Sequence, residues 1–196
     1  VNRVNLEAGK VIISEIVKIF MTNATIAQNP LLIGQGLPPF QDIKAEHVIP
    51  GMTQLLQELE TTFTNLEANL TPTWEGLVNP LTEIEERLTW SWGVVGHLLS
   101  VKNSPELREA HEAMQPQMVQ FGNKLSQSKP IYEGFKALRD SGEWDKLEPA
   151  QKRIVEAAIQ DAELSGIGLE GEQQERFNAI QLELAELSTK FSNNVL

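Results

Sequence analysis

The stretch Phe177-Asn178-Ala179-Ile180-Gln181-Leu182-Glu183-Leu184-Ala185-Glu186-Leu187-Ser188-Thr189-Lys190-Phe191 places Phe177, Ile180, Leu184, Leu187 and Phe191 at spacings of 3, 4, 3 and 4 residues. An α-helix turns once every 3.6 residues, so these side chains share one face, and the stretch is predicted to be a long amphipathic helix with a packing seam. If the seam is buried, cutting Leu184 or Leu187 to Ala should cost about 2–5 kcal/mol. The pattern runs on through Ser192-Asn193-Asn194-Val195-Leu196 with no stop signal, so the sequence is expected to be part of a longer protein.

Upstream, Gly166 and Gly168 break the helical pattern, and Pro149 opens the helix they end, with Ile154, Val155, Ala158, Ile159 and Ala162 as its predicted buried stripe. Pro130 to Leu138 reads as a short helix stopped by Asp140-Ser141-Gly142-Glu143. Ser104-Pro105-Glu106 supplies an N-cap hydroxyl, a proline at the first helical position and a carboxylate near the positive helix end, so a helix should run from there to about Ser128. Thr71-Pro72-Thr73-Trp74 is a helix entry. Pro80 either kinks this segment or starts a fresh helix carrying Leu81, Ile84, Leu88, Trp92 and Val95 inward. Before it, Val48, Met52, Leu55, Leu56, Leu59, Phe63 and Leu66 form one stripe, with Pro50 in the first turn or bending the helix. From Asn29 to Gln41, Gly34, Gly36, Pro38 and Pro39 argue for an extended or turning segment.

No strand alternation and no internal repeat is present, so the expected fold is all-α, with about six packed helices after a Pro/Gly-rich N-terminal segment. Residues 29–196 are read as the helical domain and 1–28 as an N-terminal extension. Val11 to Phe20 is apolar but interrupted by Glu15 and Lys18 and too short to span a bilayer. Residues 1–20 are either an extension or upstream reading-frame artefact preceding Met21, or an amphipathic segment docked on the body.

Composition narrows the function. With 16 Lys and Arg against 27 Asp and Glu, the net charge of −11 opposes nucleic-acid phosphate and anionic membrane surfaces, so neither is an expected partner. The chain has no cysteine, which removes thiolate nucleophiles and thiolate metal sites and agrees with a cytoplasmic location.

Individual motifs are weak. His111-Glu112-Ala113-Met114-Gln115 begins like H-E-x-x-H, in which two histidines on one helical face bind zinc and the Glu activates water, but Gln115 replaces the second histidine. It is expected to be a solvated polar face. Gly166-Ile167-Gly168-Leu169-Glu170-Gly171 matches G-x-G-x-x-G, yet it follows a helix instead of a buried strand and Glu170 would repel a pyrophosphate, so it reads as a helix linker. His47 has no paired ligand spacing, and His97, among Val94, Val95, Leu98 and Leu99, reads as a core or boundary residue. Glu83, Glu85 and Glu86, and Glu170, Glu172 and Glu175, read as solvated faces or helix N-terminal charges. Trp74, Trp90, Trp92 and Trp144 read as core or boundary packing, with one of Trp90 and Trp92 left to line a groove.

Taken in order, Asn29-Pro30-Leu31-Leu32, Glu46-His47-Val48, Thr73-Trp74-Glu75, Val101-Lys102-Asn103-Ser104-Pro105-Glu106-Leu107-Arg108, Leu164-Ser165-Gly166-Ile167-Gly168-Leu169 and Phe191-Ser192-Asn193-Asn194-Val195 resemble the N-terminal region of the oligopeptidase A and thimet oligopeptidase family of zinc metallopeptidases. The resemblance implies a helical wall facing a catalytic part across a narrow channel that admits short peptides. It also implies zinc held by H-E-x-x-H and a further Glu in that second part. Those ligands have no counterpart here, so no catalytic, metal-binding or cofactor-binding residue is assigned to this chain, which alone should be inactive. The partners implied are short peptides and the C-terminal catalytic part of the same parent. The alternatives are a free-standing acidic helical interaction module and a degenerate relative that has lost catalysis.

Overall fold

The computed structural model describes residues 29–195. The readings of residues 1–28 as an extension or a docked segment lie outside them. Among the described residues there are six α-helices and no strand: α1 (Ala45–Asn69), α2 (Asn79–Val101), α3 (Pro105–Ser126), α4 (Lys129–Arg139), α5 (Pro149–Leu164) and α6 (Glu172–Val195). The all-α architecture is the one expected.

Local chemistry sets the helix boundaries. Ser104 Oγ accepts the Leu107 N–H at 3.2 Å ahead of Pro105, and Ser128 Oγ accepts the Ile131 N–H at 3.3 Å. That second cap ends α3 at Ser126, slightly short of the expected limit, because Ser128 already serves α4. Thr73 Oγ1 accepts the Gly76 N–H at 3.0 Å and opens a single π-helical turn, Trp74–Val78, which passes into α2 with Pro80 in its first turn. Of the two readings of Pro80, the fresh start is therefore the observed one. Pro50 lies inside α1, beyond its first turn.

Helix α1 is the centre of the domain, packed mainly on α3 and also on α2, while α6 lies on α3 and α5 lies on α4. Val48, Met52, Leu55, Leu59 and Phe63 of α1 are fully or almost fully buried, and Phe63 meets Phe121 of α3 edge-on at 6.5 Å. The segment before α1 is tied down as well. Asn29 Oδ1 accepts the Leu31 N–H at 3.0 Å, its Nδ2 donates to the His47 carbonyl at 2.8 Å, and Ser91 Oγ donates to the Leu31 carbonyl at 2.7 Å.

Two predicted stripes turn out differently. In α5, Val155 and Ile159 are buried but Ile154 is half exposed, because α5 packs mainly on α4 and offers it a narrow face. In α6 no residue is buried. Ile180, Leu184, Leu187 and Phe191 are 38%, 53%, 53% and 71% exposed, so the buried-seam expectation is corrected. The half-buried face of α6 is Asn178, Leu182, Ala185 and Thr189, which at 3.6 residues per turn lies opposite the seam. Amides hold it to α3: Gln115 Nε2 donates to the Ala185 carbonyl at 3.0 Å, Thr189 Oγ1 donates to Gln115 Oε1 at 2.9 Å, and Gln127 Nε2 donates to Asn178 Oδ1 at 2.8 Å. Polar bonds thus fix the orientation of α6 and turn its apolar seam outward.

Candidate functional site

The half zinc motif lies on α3 where α6 crosses it. His111 is half-buried and its ring stacks on Trp92 of α2 at 4.5 Å with an interplanar angle of 12°. Burial holds its pKa below the ordinary histidine value, against an opposing pull from Glu112. Glu112 accepts a hydrogen bond from Asn193 Nδ2 at 2.7 Å, and Gln115 is bonded to both Ala185 and Thr189 of α6. This corrects the solvated-face reading: His111 and Gln115 join helices to one another. The described residues gather no group of three or more His, Cys, Asp or Glu able to hold a metal ion.

The other candidates are scattered. His47 Nδ1 accepts the Lys44 N–H at 3.2 Å at the start of α1. His97 faces solvent under the tilted ring of Phe40 at 5.1 Å, where a core or boundary position was expected; the apolar residues on either side of it point the other way round α2. Trp90 donates from Nε1 to the Gly36 carbonyl at 2.9 Å and so pins the Pro/Gly segment, while Trp92 stacks on His111. Trp74 and Trp144 are half-buried, with Lys152 Nζ 5.4 Å from the Trp144 ring. Glu83 and Glu86 are exposed, and Glu172 and Glu175 stand in the first turn of α6. Glu170 pairs with Lys129 at 2.9 Å. Gly166 has φ +84° and bridges α5 to α6; a Cβ there would meet Leu169 Cδ1 at 2.9 Å, so the glycine pattern is a helix linker.

Two of several surface clefts set a charged side chain against apolar walls. One, about 430 Å³, opens between α2, α3, α4 and α5 over Leu81, Leu125, Ile131 and Phe135, with Glu85 at its mouth. The Glu85 side chain reaches solvent, but the apolar walls behind it raise its pKa. The other, about 490 Å³, lies between the end of α2, the start of α3 and the end of α6. It brings Asn103 and Arg108 together with His111, Leu99 and Phe191. In the sequence, Asn103 and Arg108 stand out only as family landmarks. A side-chain amide and an arginine straddling a Ser-Pro helix start was the signal available.

The described residues therefore define a helical domain whose motif residues do packing work, with mainly apolar clefts and an uncovered apolar helix face. Residues 52–174 match the family described as Neurolysin/Thimet oligopeptidase, N-terminal domain. The chain belongs to that family. It is 49% identical over 180 residues to organellar oligopeptidase A, chloroplastic/mitochondrial, of Arabidopsis thaliana, covering 92% of this chain and 23% of that protein. It is 50% identical over 172 residues to probable cytosolic oligopeptidase A of Arabidopsis thaliana, covering 88% and 24%. With oligopeptidase A of Escherichia coli (strain K12) it shares 43% identity over 169 residues, covering 86% and 25%. The chain thus spans about a quarter of the length of the curated relatives it matches.

Proposed function

We propose that residues 29–196 form the helical N-terminal domain of a zinc-dependent oligopeptidase that hydrolyses short peptides, and that they build one wall of its substrate channel. The observation that carries this reading is the outward seam of α6. A helix held to its own domain by the bonds of Gln115 and Thr189, with Ile180, Leu184 and Leu187 turned away, has a second surface to cover. A self-contained interaction bundle would turn that seam inward. The relatives named oligopeptidase A extend well beyond the matched region, and the remainder of such a protein is the proposed cover.

Zinc and the catalytic groups belong, in this proposal, to that remainder, and no step of the reaction is assigned to residues 29–195. What these residues contribute is shape: a rigid helical wall that restricts access to extended peptides. The proposed compartment is the cytoplasm, in line with the relative named as cytosolic, although another is named as organellar. Among the described residues no helix is long and apolar enough to cross a membrane.

The test is to express the longest in-frame protein containing this sequence and assay it on short peptides and on a folded protein, with and without a chelator. Chelator-sensitive cleavage of peptides alone supports the proposal. Absence of hydrolysis together with a missing H-E-x-x-H would hand the chain to the interaction-module reading. Subcellular fractionation decides the compartment.

A further inference from the structure

The cleft between α2, α3 and α6 holds donors that no packing role uses. Arg108 Nη1 donates to Asn103 Oδ1 at 2.8 Å, which orients the amide so that Nδ2 carries its N–H groups elsewhere. That nitrogen is shut off from solvent and has no acceptor among the described residues. Closed to water, it cannot meet a ligand oxygen either, so the donors that the cleft offers are those of Arg108.

Arg108 has donors to spare. A guanidinium carries five N–H groups. No ion pair among the described residues involves Arg108, although the chain as a whole carries a net charge of −11. Glu106, on the same helix, spends its carboxylate on the α3 start. Its pKa is lowered first by its own backbone N–H, next by the Ser104 hydroxyl, and least by Arg108. Around these donors the cleft is mainly apolar, with Leu99 and Phe191 in its walls, and its volume of about 490 Å³ suits a ligand of one or two residues.

We propose that this cleft binds the terminal α-carboxylate of a short peptide, with Arg108, held from one end by Asn103 Oδ1, donating to its oxygens and an apolar last side chain lying against Leu99 and Phe191. The carboxylate chemistry rests on the cleft alone; the choice of a peptide terminus as its source rests on the proposed oligopeptidase function. A planar guanidinium matches a carboxylate through paired N–H···O bonds, and its charge makes the site selective for the charged terminus over its amide.

The experiment is a titration of the isotope-labelled 196-residue chain, followed by the side-chain N–H signals of Asn103 and Arg108. The ligands are acetyl-Ala-Phe, its C-terminal amide, and acetyl-Glu-methylamide. Saturable shifts with the free acid, and binding weaker by about tenfold or more for the amide and for Arg108→Gln, are expected. Arg108→Lys keeps the charge without the fork and should lie between, so the result does not hang on a single variant; circular dichroism checks that each stays helical. Equal affinity for acid and amide, indifference to Arg108→Gln, or no shift up to ~10 mM acid would overturn the site. Preference for acetyl-Glu-methylamide would overturn the peptide terminus as the source, in favour of an acidic protein side chain. Because the titration uses this chain alone, failure of the peptidase reading leaves its outcome separately legible.

Discussion

Thr189 of α6 donates its hydroxyl to Gln115 of α3 at 2.9 Å, and the same Gln115 amide reaches the Ala185 carbonyl at 3.0 Å. Gln115 stands where H-E-x-x-H would place its second histidine, so the residue that spoils the zinc motif is a clamp between two helices. Gln115→Ala removes two part-buried bonds and should destabilise the domain by about 1–3 kcal/mol in denaturant unfolding. Gln115→His restores the letters of the motif but offers no third ligand. Calorimetry with zinc should show no gain in affinity, and tight stoichiometric binding by this variant would refute the packing role.

Asn29 is fixed by a second close relationship, with Gly51. A Cβ built at Gly51 would lie 2.7 Å from Asn29 Nδ2, the nitrogen that donates to the His47 carbonyl. Gly51→Ala should therefore displace the Asn29 turn despite alanine's better helix propensity of about 1 kcal/mol. Asn29→Ala should cost about 1–3 kcal/mol by leaving the buried Leu31 N–H unpaired and removing the bond to the His47 carbonyl. A Gly51→Ala protein more thermostable than the parent would show that the contact is loose.

Much of this was legible in the sequence because helix starts are local events. Ser104 before Pro105, Thr73 before the turn at Trp74, and Pro149 at the head of α5 each announce themselves within a few residues. Periodicity tells which residues share a face, not which face looks inward. For α1 the two coincide, but for α6 the side of Asn178, Leu182, Ala185 and Thr189 wins, because Gln115 on α3 and Gln127 just after it select it by hydrogen bonds. His97 departs from expectation for a similar reason: apolar neighbours along the chain say nothing about its own direction. The cleft at Arg108 joins α3 to the last turns of α6, and no spacing rule relates residues so far apart.

His111 makes stability depend on pH. Burial is the main cause of its lowered pKa, so folding favours the neutral ring. Between the ordinary histidine value of about 6.5 and the lower folded value, the unfolded chain binds more protons. Its contribution is thus fully present above that ordinary value and is lost as pH falls toward the folded pKa. His111→Phe keeps an aromatic ring against Trp92 and should flatten the unfolding profile below the ordinary histidine value of about 6.5. An unchanged slope would place the proton elsewhere.

The α6 seam gives the sharpest contrast with a reading from periodicity alone. Leu184 and Leu187 remain about half exposed, so truncating either to Ala removes little area from contact and should cost less than about 1 kcal/mol in this chain. Phe63 of α1 is fully buried, and Phe63→Ala should cost about 3–5 kcal/mol under the same conditions. If a further part of a longer protein covers the seam, the Leu184→Ala and Leu187→Ala costs should rise to about 2–5 kcal/mol there while the Phe63→Ala cost stays put. Measuring all three in both proteins by denaturant unfolding isolates the seam. Large losses for the α6 variants in the short chain would mean that its seam is already covered, and equally small losses in the longer one that nothing docks on it.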